Sequence, residues 1–167
     1  NFFDELKIPY PDYNLGAGSG TQAEQTAKIM IGYEKLILKN APNYCLVVGD
    51  VNSTMACAIA AQKLGIKVAH VEAGIRSKDW AMPEEINRLI TDSITNYFFT
   101  TSELANKNLK LSGFDDSQIF YVGNTMIDTL YNNQSRFTKP LIWDQFKLKE
   151  KEYIVITMHR PANVDEG

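Results

Sequence analysis

Short apolar runs punctuate this chain at regular intervals, at residues 44–48, 67–71, 97–100 and 119–122. Runs of that length, bounded by turn residues, read as strands rather than helices. Between them lie segments with helical spacing and helix punctuation. Thr21-Gln-Ala-Glu24 fits a capping box and opens a helix to about Asn40, with Ala23, Ala27, Met30 and Ile37 expected on its core face. An alanine-rich helix over 53–64 is ended by Gly65. Pro83 suits the first position of a helix running to about Ser93, and Ser102 caps another ending near Ser112, with Gly113 just beyond. The repeated β-α order predicts an α/β fold, a Rossmann-like parallel sheet with helices on both faces.

After Gly123 the rhythm breaks. Residues 125–132 read as a short helix, 133–150 as a polar stretch with Pro140 and several lysines, and 153–157 as a new apolar strand leading into Met158-His159-Arg160-Pro161. The expected organisation is therefore 1–123 as most of a first Rossmann-like domain, lacking its first strand and loop, and 124–167 as a linker and the truncated start of a second. Residues 1–20 are mixed and turn-rich; the run Gly16–Thr21 has neither the lysine nor the spacing of a phosphate-binding loop, and reads as a flexible connector rather than a ligand loop. The chain begins at Asn1 without Met and stops soon after the last strand-like run, the expected look of a piece of a longer protein.

Composition narrows the class. The chain has 167 residues, of which 44% are hydrophobic, enough for a real core. A formal net charge of −3 gives no reason to expect nucleic acid or an anionic membrane as partner, so an anionic ligand would need a few convergent Arg, His or N–H groups. Cys45 and Cys57 both lie in apolar segments and are expected as buried, reduced thiols. With no apolar run near the roughly 20 residues of a membrane span and no signal-peptide pattern, the expected location is cytoplasmic.

The candidate chemistry follows the strand ends. In a parallel sheet the carboxyl ends of the strands form one rim, where ligands bind. Asp50 follows the first run directly, though Asp, Asn, Ser and Thr at a helix start are equally suited to turn and cap hydrogen bonds. Glu72 follows the second run, has no evident capping role, and is costly to bury uncompensated. Glu84 and Glu85 suit the positive end of the helix that Pro83 opens. His70 reads first as a satisfied core histidine. Arg76 and Arg88 are candidate anion contacts or partners for neighbouring acids, and His159-Arg160 is a cation pair suited to phosphate oxygens or simply to solvent. No spacing matches a zinc site, and no Ser or Cys stands in a nucleophile elbow. By themselves, these residues point to acid/base chemistry on a phosphorylated or nucleotide-linked substrate.

Five motifs carry a resemblance: Gly49-Asp-Val-Asn-Ser-Thr54, His70-Val-Glu-Ala-Gly-Ile-Arg-Ser77, Met82-Pro-Glu-Glu-Ile-Asn-Arg88, Val122-Gly-Asn-Thr125 and His159-Arg160. In this order they closely resemble the non-hydrolysing UDP-N-acetylglucosamine 2-epimerase family over almost the whole chain. The resemblance implies a two-domain fold like that of the B-type glycosyltransferases, with the active site in the cleft and a parent that is a homodimer. It implies interconversion of UDP-GlcNAc and UDP-ManNAc, for cell-surface polysaccharide precursors, by elimination of UDP to a 2-acetamidoglucal and re-addition after the proton returns to the other face of C2. No nicotinamide or metal is needed. The family's acids fall on Asp50, Glu72 and Glu84, and its cleft histidine on His159; Arg88, Arg76, Arg160, Ser53 and His70 are the implied substrate-binding set. The family's opening strand and its later nucleotide contacts are not in these 167 residues, so the piece alone is expected to be inactive. The alternatives are a B-type UDP-sugar glycosyltransferase, a 2-epimerase of a modified UDP-amino sugar, or a non-catalytic α/β binding domain.

Overall fold

A computed structural model of the chain describes residues 2–6 and 8–158. The chain divides into two compact units, Asn1–Thr125 and Met126–Gly167.

The first unit is built on four parallel strands, β1 (Tyr44–Val48), β2 (Lys67–Val71), β3 (Tyr97–Thr100) and β4 (Ile119–Tyr121), which lie side by side in sequence order. Pairing runs Val47↔His70↔Phe98↔Ile119 across the sheet. Each crossover is a helix: α3 (Asn52–Lys63), α4 (Pro83–Ser93) and α5 (Glu103–Leu111). Cys45, Val47 and Val68 pack on Ala58 and Ala61 of α3, where small side chains let helix and sheet approach closely. Phe98 packs with Leu109 of α5, with Ala73 and with Phe114. The opposite side of β1 is open: Tyr44, Leu46 and Val48 are 57%, 62% and 51% exposed.

Local signals set the helix ends. Helix α2 (Gln22–Asn40) starts at Thr21, whose side chain accepts from the Glu24 N–H while Glu24 accepts from the Thr21 N–H. Pro83 occupies the first turn of α4, and Ser102 caps α5 by accepting from the Ala105 N–H. Its buried face differs from the sequence expectation. Ile29 and Ile37 are the buried residues of α2, and Tyr33 donates to Cys45 Sγ at 3.1 Å, while Ala23 and Ala27 are exposed. The face centred on 29, 33 and 37 wins because it carries the larger side chains and meets β1 and α3. Ala23, Ala27 and Met30 instead line an open groove with Trp80 and Ile86.

Further expectations change. Residues Phe2–Leu6 form a short helix, α1, within the stretch read as mixed and turn-rich. Beyond Gly123, α6 (Thr125–Asn133) is present, while α7 (Leu141–Gln145) forms inside the stretch read as polar and residues 153–157 form no strand; a strand needs a ladder partner, and none of the described residues pairs with them. Among the described residues no helix is long and apolar enough to cross a membrane.

Candidate active site

Because β1 and β2 are adjacent and parallel, Asp50 and Glu72 emerge at the same edge of the sheet. Their turns are joined directly, the Gly49 N–H donating to the Val71 carbonyl at 3.0 Å. Glu72 sits in the left-handed region at φ 69°, a conformation that costs a non-glycine residue about 1–2 kcal/mol and persists only where its surroundings hold it. Here the N–H groups of Glu72 and Ala73 both donate to the Phe99 carbonyl. The strained backbone leaves the Glu72 side chain near Gly49: a Cβ added there would lie 3.8 Å from Glu72 Oε2. Among the described residues, the carboxylates of Glu72 and Glu84 have no hydrogen-bond or ion-pair partner.

Helix α4 organises the rest of the rim, and it does so with an unusual buried face. Its buried residues are Glu85, Asn87, Thr91 and Asp92, all polar. Arg88 bridges two acids, donating from Nη2 to Asp50 Oδ2 at 2.5 Å and from Nη1 to Glu85 Oε2 at 2.9 Å. Burial works against the guanidinium charge, but the bonds to Glu85 and Asp50 outweigh it and raise the Arg88 pKa. Asn87 donates to the Asp50 carbonyl and to Asn52. Glu84 stands one helical turn before Arg88, on the same side of α4.

Glu85, which the sequence reading treated only as a first-turn acid, is a structural anchor. It accepts from the Ser77 and Lys78 N–H groups, from Ser77 Oγ and from Arg88. Burial alone would raise its pKa, yet these four bonds outweigh burial and hold it at about 2. The loop between β2 and α4 is thereby tied to the first turn of α4.

His70 and Arg76 point inward. His70 is 1% exposed, with Nδ1 2.7 Å from Asp92 Oδ1 and Nε2 2.8 Å from the Gly49 carbonyl. Arg76 lies against Asp92 Oδ2 at 2.6 Å and also donates to the Ile75 carbonyl. Both are engaged within the fold, and Ser53 is exposed in the first turn of α3. His159 and Arg160 lie outside the described residues. Of the missed participants, Glu85, Asn87 and Asp92, two leave a trace in the sequence: Glu85 and Asp92 recur with Arg88 at helical spacing. Hydropathy alone would have buried Ile86 instead, which is 42% exposed. Cys45 is a buried free thiol and Cys57 a partly buried one, rather than fully buried as expected; burial raises both, Cys57 to about 12, which disfavours the nucleophilic thiolate. Among the described residues, no group of three or more His, Cys, Asp or Glu side chains is placed to hold a metal.

The whole chain, residues 1–167, matches the family described as UDP-N-acetylglucosamine 2-epimerase. It is 49% identical over 166 residues to a UDP-N-acetylglucosamine 2-epimerase homolog of Methanococcus maripaludis, covering 98% of this chain and 46% of the relative. It is 40% identical over 167 residues to the UDP-2,3-diacetamido-2,3-dideoxy-D-glucuronate 2-epimerase of Pseudomonas aeruginosa, covering 99% and 46%. The crystal structure of Methanocaldococcus jannaschii UDP-GlcNAc 2-epimerase in complex with UDP-GlcNAc and UDP matches with a TM-score of 0.80 at 48% identity, over 87% of this chain and 40% of that one. The chain thus spans about half the length of the curated relatives it matches. With the motif order, the parallel sheet and these matches in agreement, the chain belongs to the UDP-N-acetylglucosamine 2-epimerase family.

Proposed function

We propose that the full-length protein is a UDP-N-acetylglucosamine 2-epimerase that interconverts UDP-GlcNAc and UDP-ManNAc. The observation that carries this reading is that Asp50 and Glu72 share one rim of the first unit, with Arg88 gripping Asp50 and Glu84 one helical turn before Arg88. C2 of the sugar has no neighbouring carbonyl to acidify its hydrogen, so proton loss must accompany departure of UDP. A carboxylate takes the C2 proton as the C1–O bond breaks, leaving a 2-acetamidoglucal and UDP. The reverse step delivers a proton to the opposite face of C2 while UDP re-adds at C1. Two carboxylates on opposite sides of the ring suit that sequence, and general acid–base groups contribute typically about 100- to 10,000-fold each. Asp50, Glu72 and Glu84 are assigned to proton transfer and to holding the sugar. Ser53 and Arg88 are assigned to the substrate side, and the family motif extends the assignment to His159 and Arg160 as diphosphate contacts. Inverting C2 needs neither redox chemistry nor an acceptor sugar.

A second reading has its own support. The 40% identity to an enzyme named for a 2,3-diacetamido uronic acid sugar favours a modified UDP-amino sugar as an alternative substrate. The test is turnover of each UDP-sugar by the full-length protein, with no acceptor present, read as the C2 epimer. Asp50→Asn and Glu72→Gln are each expected to lower kcat by about 100-fold or more. Wild-type turnover in both variants would remove the catalytic assignment, and no epimer from any UDP-amino sugar would remove the activity itself.

A further inference from the structure

One buried carboxylate has no part in the chemistry above, yet it reaches both acid-bearing turns. Asp92, 1% exposed on α4, takes His70 Nδ1 on Oδ1 and accepts the Gly74 N–H on Oδ2 at 3.1 Å, alongside Arg76. His70 carries the connection onward from Nε2 to the Gly49 carbonyl, next to Asp50. A carbonyl faces one ring nitrogen and a carboxylate faces the other, so the ring can bridge them only as a donor at Nε2 and through Asp92 at Nδ1. Asp92 therefore spans from α4 through β2 to the Gly49–Asp50 turn on one side, and to the Glu72–Gly74 turn on the other.

We propose that Asp92 and His70 are positioning residues that hold Asp50 and Glu72 in fixed relation for proton transfer. Two arguments support this. Burying an ion pair in place of apolar side chains typically brings little or no net stability, so a fully satisfied buried network is better understood as holding one geometry. Moreover, Glu72 occupies left-handed backbone at φ 69°, which a non-glycine residue keeps only when surrounding bonds over-determine it, and the Gly74 N–H bond to Asp92 holds the same turn. The inference rests on the catalytic reading of Asp50 and Glu72.

The test uses the full-length protein with Asp92→Asn and, as a second variant, His70→Gln, alongside Asp50→Asn and Glu72→Gln. The readouts are kcat, KM and the leak ratio, meaning free 2-acetamidoglucal plus UDP released per epimer formed. A smaller folded fraction lowers epimer and leaked intermediate alike and leaves the ratio unchanged. Misplaced acids slow reprotonation relative to release and raise it. The expected result is a kcat loss of about 10-fold or more with KM within about threefold, and a leak ratio raised several-fold, in whichever variant folds. An unchanged leak ratio in the folded variants overturns the proposal, whether or not activity falls. If Asp50→Asn and Glu72→Gln retain wild-type turnover, it is the catalytic reading that fails, and that outcome is separate.

Discussion

Gly74 shows how tightly the rim is built at the scale of one residue. Its φ is +77°, and a Cβ there would lie 2.5 Å from the Ala105 carbonyl oxygen, on the backbone of α5. Its N–H donates to Asp92, and its carbonyl accepts from Asn108. Gly74→Ala is expected to destabilise the fold by about 2–4 kcal/mol, from left-handed strain together with a backbone clash that no rotamer relieves. A urea-denaturation midpoint within error of wild type would refute this. The Glu-Ala-Gly motif was visible in the sequence, but the reason for its glycine was not, because the clash partner lies about thirty residues further along. Glu72 was legible as a costly acid at a strand end. That its backbone is strained was not, since positive φ in a glutamate is held by bonds from distant residues, the Phe99 carbonyl and Asp92 among them, and by nothing local.

Helix α4 was placed correctly by Pro83 and its acids, yet its orientation was not legible. Its buried positions are polar because α4 faces the ends of β1 and β2, where the turns present N–H groups and charges that apolar side chains would leave unsatisfied. Glu85 makes the consequence measurable. Its folded pKa of about 2 lies below the ordinary 4.5, so its contribution to stability is complete above about pH 4.5 and is lost as pH falls toward 2. Glu85→Gln is expected to cost about 2 kcal/mol at neutral pH, and the gap from wild type is expected to close between pH 4.5 and 2. Denaturation curves across that range decide it; a gap independent of pH would show that the Glu85 charge contributes nothing. Helix α2 makes the complementary point. Its ends were readable from Thr21 and Glu24, but its core face was not, because two apolar stripes compete and only contact with Cys45 and α3 selects one.

At the scale of the molecule, the open side of the sheet carries the clearest expectation. Tyr44, Tyr97, Phe99 and Phe120 form a chain of ring contacts 5.5–6.5 Å between centroids, beside the exposed Leu46 and Val48. An apolar face of this kind left open to solvent marks an interaction or aggregation surface. The 167-residue chain by itself is expected to bind a hydrophobic dye and to self-associate with concentration, and Leu46→Lys is expected to reduce both. A dye-free monomer at high concentration in light scattering would contradict this. The sequence alone was enough to determine the four strands of the sheet, the ends of the helices between them, the parallel α/β class and the order of acidic motifs, because period, caps and glycine or proline punctuation are local physics. Only the tertiary structure decided that α4 turns its polar side inward, that Asp92 is the partner of both the core histidine His70 and Arg76, and that Arg88 grips Asp50. Those outcomes depend on which distant backbone groups need partners, and that is settled only when strands 20 or more residues apart are brought side by side. The acids were therefore legible as residues, and their arrangement as a site was not.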